Sequence, residues 1–283
     1  MSEPARVHTG HAGAVADPPP SGAALLAAAR QVIRQEADAV AALEPRIDDA
    51  FLDAVQRIAG AHGRVVVSGI GKSGIIARKI AATMTSTGTP AMFLHPVEGL
   101  HGDLGIVGRD DVAILLSKSG ESGELNALVA VLGRLGVPMI ALTGRPASSL
   151  ARAADVVLDC SVSVEACPHD LAPTTSTTAT LAMGDALAVA LLLNRGFSRD
   201  DFAQLHPGGS LGRKLTIRVR DVMLDDHLPL LSTDAGMRAC VVALAEKRGT
   251  VAIVDEDNTL LGVVTAGDLT RLMEREDNVF AVA

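Results

Sequence analysis

Between Arg64 and Asp159 the chain alternates short runs of Val, Ile and Leu with longer stretches whose apolar residues recur every three to four positions. The runs predict strands at 65–68, 91–94, 112–117, 138–143 and 156–160, and the longer stretches predict helices at 73–87, 123–135 and 148–153. Strands that are apolar at nearly every position must be covered on both faces, so the expected fold class is α/β, a doubly wound and mainly parallel sheet. Two helices precede it, at 22–43 and 45–61. In the second, Ile47, Ala50, Phe51, Ala54, Val55 and Ile58 share one face, and Pro45 suits a first turn. PTTSTTATLAMGDALAVALLLNRG, from Pro173, reads as a further long helix with Gly196 in C-cap position.

After HPGGSLGRKL the pattern changes, and the remainder reads as strand, helix, hairpin and helix. DEDN supplies the hairpin turn between Val251–Val254 and Leu260–Val264. Three segments are therefore expected: a disordered tail over 1–21 that ends in DPPP, a large domain over 22–214, and a small α/β domain over 215–283.

Composition narrows the function classes. With no Trp, no Tyr and five Phe, the core must be packed from Ala, Val, Leu and Ile. The net charge is −8, and residues 218–283 hold 7 Lys and Arg against 12 Asp and Glu, which argues against an extended nucleic-acid surface. Cys160, Cys167 and Cys240 are odd in number and lack CxxC spacing; they suit neither a disulfide framework nor a Cys-based zinc site, and a reducing cytoplasm is expected. The longest apolar run, 186–193, is well short of the ~20 residues that cross a bilayer, so no membrane span is expected.

In a doubly wound sheet, ligands bind beyond the carboxyl ends of the strands, which directs attention to the loops at 69–74, 95–105 and 117–124. Gly69, Gly71 and Gly74 fit GxGxxG between a strand and a helix. A dinucleotide site also wants an acid at the end of the second strand, but that strand ends in His95-Pro96 and the nearest acid is Glu98, inside the loop. Lys72 sits in the turn instead, SKSGESGE places Ser117, Ser119 and Ser122 before a helix, and Thr174–Thr178 is a run of five hydroxyl residues. Hydroxyls and free N–H groups at helix starts suit a phosphate, and one cap needs only one hydroxyl, so the surplus points to a monophosphate. His95, His101, Asp103, Cys167, His169 and His206 show neither i,i+4 pairing nor CxxC spacing, and no dedicated metal site is expected.

SGIGKSG, HGDLGIV, SKSGESGE, TGRPASSLARAAD, EACPHDLAPTTSTTATLAMGDALAVALL and LHPGGSLGRKL closely resemble the sugar isomerase (SIS) domain of D-arabinose-5-phosphate isomerases, and the tail resembles a cystathionine-β-synthase (CBS) motif. The resemblance runs from about residue 24 to 274. It implies interconversion of D-ribulose 5-phosphate and D-arabinose 5-phosphate, toward 3-deoxy-D-manno-octulosonate (Kdo) and lipopolysaccharide, by a cytoplasmic homotetramer without a cofactor. Carried over by position, the catalytic residues would be Lys72, Glu124, Glu165 and His206, with the His segment reaching a neighbouring subunit's site. Gly71, Ser73, His101, Ser117, Ser119, Ser122, Thr175, Ser176 and Thr177 would bind the substrate.

These residue types fit the chemistry. Enediol isomerisation needs a carboxylate base, which Glu165 or Glu124 can supply, a group that shuttles oxygen protons, such as His206, and a cation for the oxyanion or phosphate, such as Lys72. The alternative is a non-catalytic sugar-phosphate sensor; the full catalytic set and the want of a basic DNA-binding segment disfavour it. Two features depart from the family pattern. CBS motifs normally come in pairs, yet only seven residues follow Glu276, so the tail is read as a single motif that serves oligomerisation or, through Asp268 in TAGD, a nucleotide. Lys118 stands where relatives often carry Asn, a change that bears on phosphate affinity.

Overall fold

The computed structural model describes residues 20–206, 217–223, 225–246, 249–276 and 278–281. Residues 1–19 of the expected tail, and the HPGGSLGRKL segment beyond His206, lie outside the described residues. The chain divides into two units, Met1–Thr216 and Ile217–Ala283.

In the first unit β1 (Val65–Gly69), β2 (Ala91–Leu94), β3 (Val112–Ser117), β4 (Met139–Thr143) and β5 (Val156–Asp159) form one parallel sheet in the order β2-β1-β3-β4-β5. Around it lie α1 (Gly22–Ala41), α2 (Asp49–Gly60), α3 (Gly71–Ser86), α4 (Pro96–Leu100), α5 (Gly123–Leu135), α6 (Ser149–Ala153), α7 (Thr175–Asn194) and α8 (Arg199–Leu205). Successive strand side chains point to opposite faces. Val65, Val67, Ile114, Leu116, Ile140 and Leu142 enter one core with α2, α3 and α7, while Val66, Ala113, Leu115 and Ala141 enter the other with α5. Two covered faces explain why the strands carry no polar alternation.

The structure corrects the start of the second helix. Glu44–Arg46 forms a separate 3₁₀ turn, and α2 begins at Asp49 because the Asp48 carboxylate accepts from the Ala50 and Phe51 N–H groups. Ile47 therefore falls outside the helix and is exposed, whereas Phe51, Ala54, Val55 and Ile58 are buried. Two short helices start from local signals that the apolar pattern does not show. Pro96 opens α4, and Ser198 with Asp201 forms a capping box on α8. Helix α7 is long and apolar enough, by length and composition, to cross a membrane, which a count of unbroken apolar residues misses. Here Ala179, Met183, Leu187, Ala188 and Leu191 bury it against the sheet-side core.

The two glycines after β1 meet different needs, backbone freedom at Gly71 and close packing at Gly74. Gly71 has φ +56°, and a Cβ on Gly74 would lie 2.7 Å from the Gly69 carbonyl oxygen, a backbone atom that cannot swing away. Gly74→Ala is expected to push α3 off β1 and cost about 1–3 kcal/mol, read as a lower urea midpoint at unchanged slope.

The second unit contains β6 (Leu230–Ser232), α9 (Met237–Glu246), β7 (Thr250–Val254), β8 (Leu260–Thr265) and α10 (Ala266–Met273), with sheet order β6-β7-β8. β7 and β8 form an antiparallel hairpin whose turn is held by the Asp255 carboxylate, which accepts from the Asp257 and Thr259 N–H groups; Asn258 takes φ +59°. Cys240, Leu244 and Val251 make its small core.

Candidate active site

The chain leaves β1 outward to β2 and returns to β3 on the other side of β1. That reversal opens a crevice beyond the carboxyl ends of β1 and β3. Ser73 enters it from the first turn of α3, Ser117 and Lys118 from the end of β3, and Ser176 and Thr177 from the first turn of α7. Together they line a small cleft of about 30 Å³. Within the β3 loop, Ser117 Oγ accepts from the Gly120 N–H at 3.0 Å and lies 3.2 Å from Ser122 Oγ. Gly120 takes φ +66°, and a Cβ there would overlap the Ser148 side chain, so only glycine lets the loop close over the start of α6.

A second cavity, of about 290 Å³, shares Lys118 and Ser176 with the cleft and extends to Ser119, Arg145, Cys160, Glu165 and Asp170. Glu165 is 2% exposed. Its Oε2 accepts from the Thr174 N–H at 2.8 Å and the Ser176 N–H at 3.1 Å; its Oε1 accepts from the Ser176 hydroxyl and lies 2.6 Å from Lys118 Nζ. The Glu165 N–H in turn donates to Asp170 Oδ1 at 2.8 Å. Burial pushes the Glu165 carboxyl up, but the Lys118 ammonium, the Ser176 hydroxyl and the two N–H groups outweigh it and hold the carboxyl at about 2. Burial raises the Cys160 thiol to about 12, which leaves it a neutral wall.

The structure thus gathers Ser73, Ser117, Ser176 and Thr177 around the cleft, with Ser119 and Glu165 in the larger cavity. Ser122 backs the cleft through Ser117. Gly71 opens α3, and the buried Thr175 hydroxyl accepts from the Ala166 N–H, which ties the Glu165 segment to α7. Lys72, Glu124 and His101 are exposed, the first two in the first turns of α3 and α5 and the third just past α4, and none lines either cavity. His206 follows α8, its Nδ1 3.0 Å from the Phe202 carbonyl oxygen and its ring stacked on Phe202 at 4.0 Å; it too lines neither cavity. Sequence reasoning missed the contact between Lys118 and Glu165. A lysine in a loop otherwise of Ser, Gly and Glu stands out in the sequence, but nothing there names its partner.

Residues 57–190 match the SIS domain. Arabinose 5-phosphate isomerase KdsD of Escherichia coli (strain K12) is 51% identical over 249 residues, covering 87% of this chain and 76% of that protein. The chain belongs to the arabinose 5-phosphate isomerase family. A second member, KdsD of Pseudomonas aeruginosa, is 48% identical over the same length and the same shares of both chains. Among solved structures, one from E. coli CFT073 in complex with A5P is similar at 41% identity and a TM-score of 0.62, over 66% of this chain and 100% of that one. Family membership gives the hydroxyl-lined crevice and the buried carboxylate a shared context: the residues named in both fall within the span, 57–190, that matches the SIS domain.

Proposed function

We propose that this chain is an aldose–ketose isomerase that interconverts D-ribulose 5-phosphate and D-arabinose 5-phosphate and so feeds Kdo and lipopolysaccharide biosynthesis. The observation that carries this reading is the buried, ionised Glu165, which opens on a cavity that shares two walls with a cleft of serine and threonine hydroxyls. The cleft takes the phosphate, where hydroxyls and the N-terminal ends of α3 and α7 offer donors. The sugar chain then extends into the larger cavity, past Glu165.

The reaction is redox-neutral. A base removes a proton from C1 of ribulose 5-phosphate, the C1–C2 pair becomes an enediol, and a proton returned to C2 gives arabinose 5-phosphate while O1 becomes the carbonyl. No external electron acceptor is needed. Glu165 is assigned the carbon-bound proton because it lines the cavity. Glu124 and Lys72, at the starts of α5 and α3, are assigned to the sugar oxygens and the developing oxyanion, and His206 of a neighbouring subunit to ring opening and oxygen-proton transfer. On this reading the enzyme is a cytoplasmic homotetramer.

The second unit serves as a CBS-type oligomerisation module. A nucleotide there would need Asp268, whose carboxylate instead accepts from the Thr265 N–H and hydroxyl and pairs with Arg271. Incubation with ribulose 5-phosphate and a chelator, without nicotinamide, tests the assignment: arabinose 5-phosphate must appear, and its absence rejects the enzyme reading.

A further inference from the structure

Lys118 belongs to two places at once. It lines both the hydroxyl cleft and the Glu165 cavity, and its Nζ lies 2.6 Å from Glu165 Oε1. The partners differ in freedom. The Glu165 side chain is 0% exposed and fixed by Thr174 and Ser176, whereas that of Lys118 is 47% exposed. An ammonium has three donors, and only one is directed at Glu165. Ser176 is placed in the same way, for its hydroxyl donates to Glu165 Oε1 and it lines both cavities.

We propose that the Lys118 ammonium is shared between Glu165 and the phosphate of the substrate, so that phosphate binding in the cleft draws the cation away from Glu165 and couples substrate capture to the basicity of that carboxylate. This rests on the reading of the Ser73, Ser117, Ser176 and Thr177 cleft as the phosphate site. Lys118 is then a positioning residue for Glu165 as well as a phosphate ligand.

A chemical tension motivates the device. A carboxylate held near 2 is a poor acceptor for a carbon-bound proton at neutral pH, because catalytic bases work best when matched to the operating pH. A phosphate that carries close to two negative charges competes well with a single carboxylate for one ammonium. Glu165 would gain basicity only when substrate is present. The other titratable groups that line its cavity are Arg145 from the end of β4, Cys160 beyond β5, and Asp170, which accepts from the Glu165 backbone. Cys160 is neutral, and the Lys118 ammonium is the cation in direct contact with Glu165 among the described residues.

Coupling is reciprocal, so it can be read without turnover. Inorganic phosphate is titrated by calorimetry into the wild type, Lys118→Met, Glu165→Gln and the double variant. Lys118→Met should bind about tenfold more weakly, the loss expected for one charge-assisted contact, and Glu165→Gln should bind severalfold more tightly because the ammonium is released. The double variant should match Lys118→Met. Tightening by Glu165→Gln that persists without Lys118 would overturn the sharing, as would equal phosphate affinity in the wild type and Lys118→Met.

Should Glu165→Gln fail to fold, Lys118→Met still decides, since it alters a half-exposed side chain. The acid limb of its kcat/KM profile should move upward toward the ordinary carboxylate range, and an unmoved limb would overturn the coupling. The two failures are distinguishable. A chain that shows the phosphate pattern but forms no arabinose 5-phosphate keeps the coupling and loses the isomerase reading. One that isomerises with no change in phosphate affinity on Lys118→Met keeps the isomerase reading and loses the coupling.

Discussion

Glu165→Gln is expected to lower isomerase turnover by about a thousandfold, the usual scale for loss of a carbon base, while substrate still binds. The substitution keeps the size of the side chain, and its amide oxygen can still accept from the Thr174 and Ser176 N–H groups that fix it. Basicity and the ion pair to Lys118 are what it removes. Steady-state kinetics would show kcat collapse with KM unchanged or lower, since no contact to the phosphate is lost. A kcat within tenfold of the wild type would move the base to another group, with Glu124 in the first turn of α5 the next candidate.

Mixing two inactive variants should restore activity. His206→Ala and Glu165→Gln are each expected to be inactive as homo-oligomers. Within one subunit His206 is turned to Phe202, through its Nδ1 and by ring stacking, and lines neither cavity. If the His segment of one subunit completes the site of its neighbour, hybrid assemblies contain sites with an intact Glu165 from one variant and an intact His206 from the other. Random pairing makes these roughly a quarter of all sites. Unfolding and refolding the two together should therefore recover roughly a quarter of wild-type activity. A mixture as inactive as its parts would place both residues in one subunit's site, or neither in any.

Much of this site was legible in the sequence because its parts are local. Gly69, Gly71 and Gly74 sit where a strand must turn straight into a helix, and the hydroxyls of Ser117 and Thr175–Thr177 lie at element ends, where a sheet of this class places its ligand. The boundary at Asp49 was less legible because two local signals competed: Pro45 suited a first turn, but the Asp48 carboxylate caps two N–H groups and wins. The helices α4 and α8 were missed because they are short and no apolar period marks them; Pro96 opens one and the Ser198–Asp201 capping box opens the other. The pairing of Lys118 with Glu165 could not be read at all. Forty-seven positions and two strands separate them in the chain, and only the closing of the β3 loop beside the segment before α7 brings them to 2.6 Å. Glu165 likewise offers no structural reason in the sequence. In the fold it joins the loop before α7 to the first turn of that helix.

The most direct measurement of the central claim is isomerisation in heavy water. Ribulose 5-phosphate is supplied with a chelator and no nicotinamide, and the product is read by NMR. The arabinose 5-phosphate formed should carry deuterium at C2, because the proton taken from C1 exchanges on the base before one is returned. Arabinose 5-phosphate with only protium at C2, or no arabinose 5-phosphate at all, would contradict the claim.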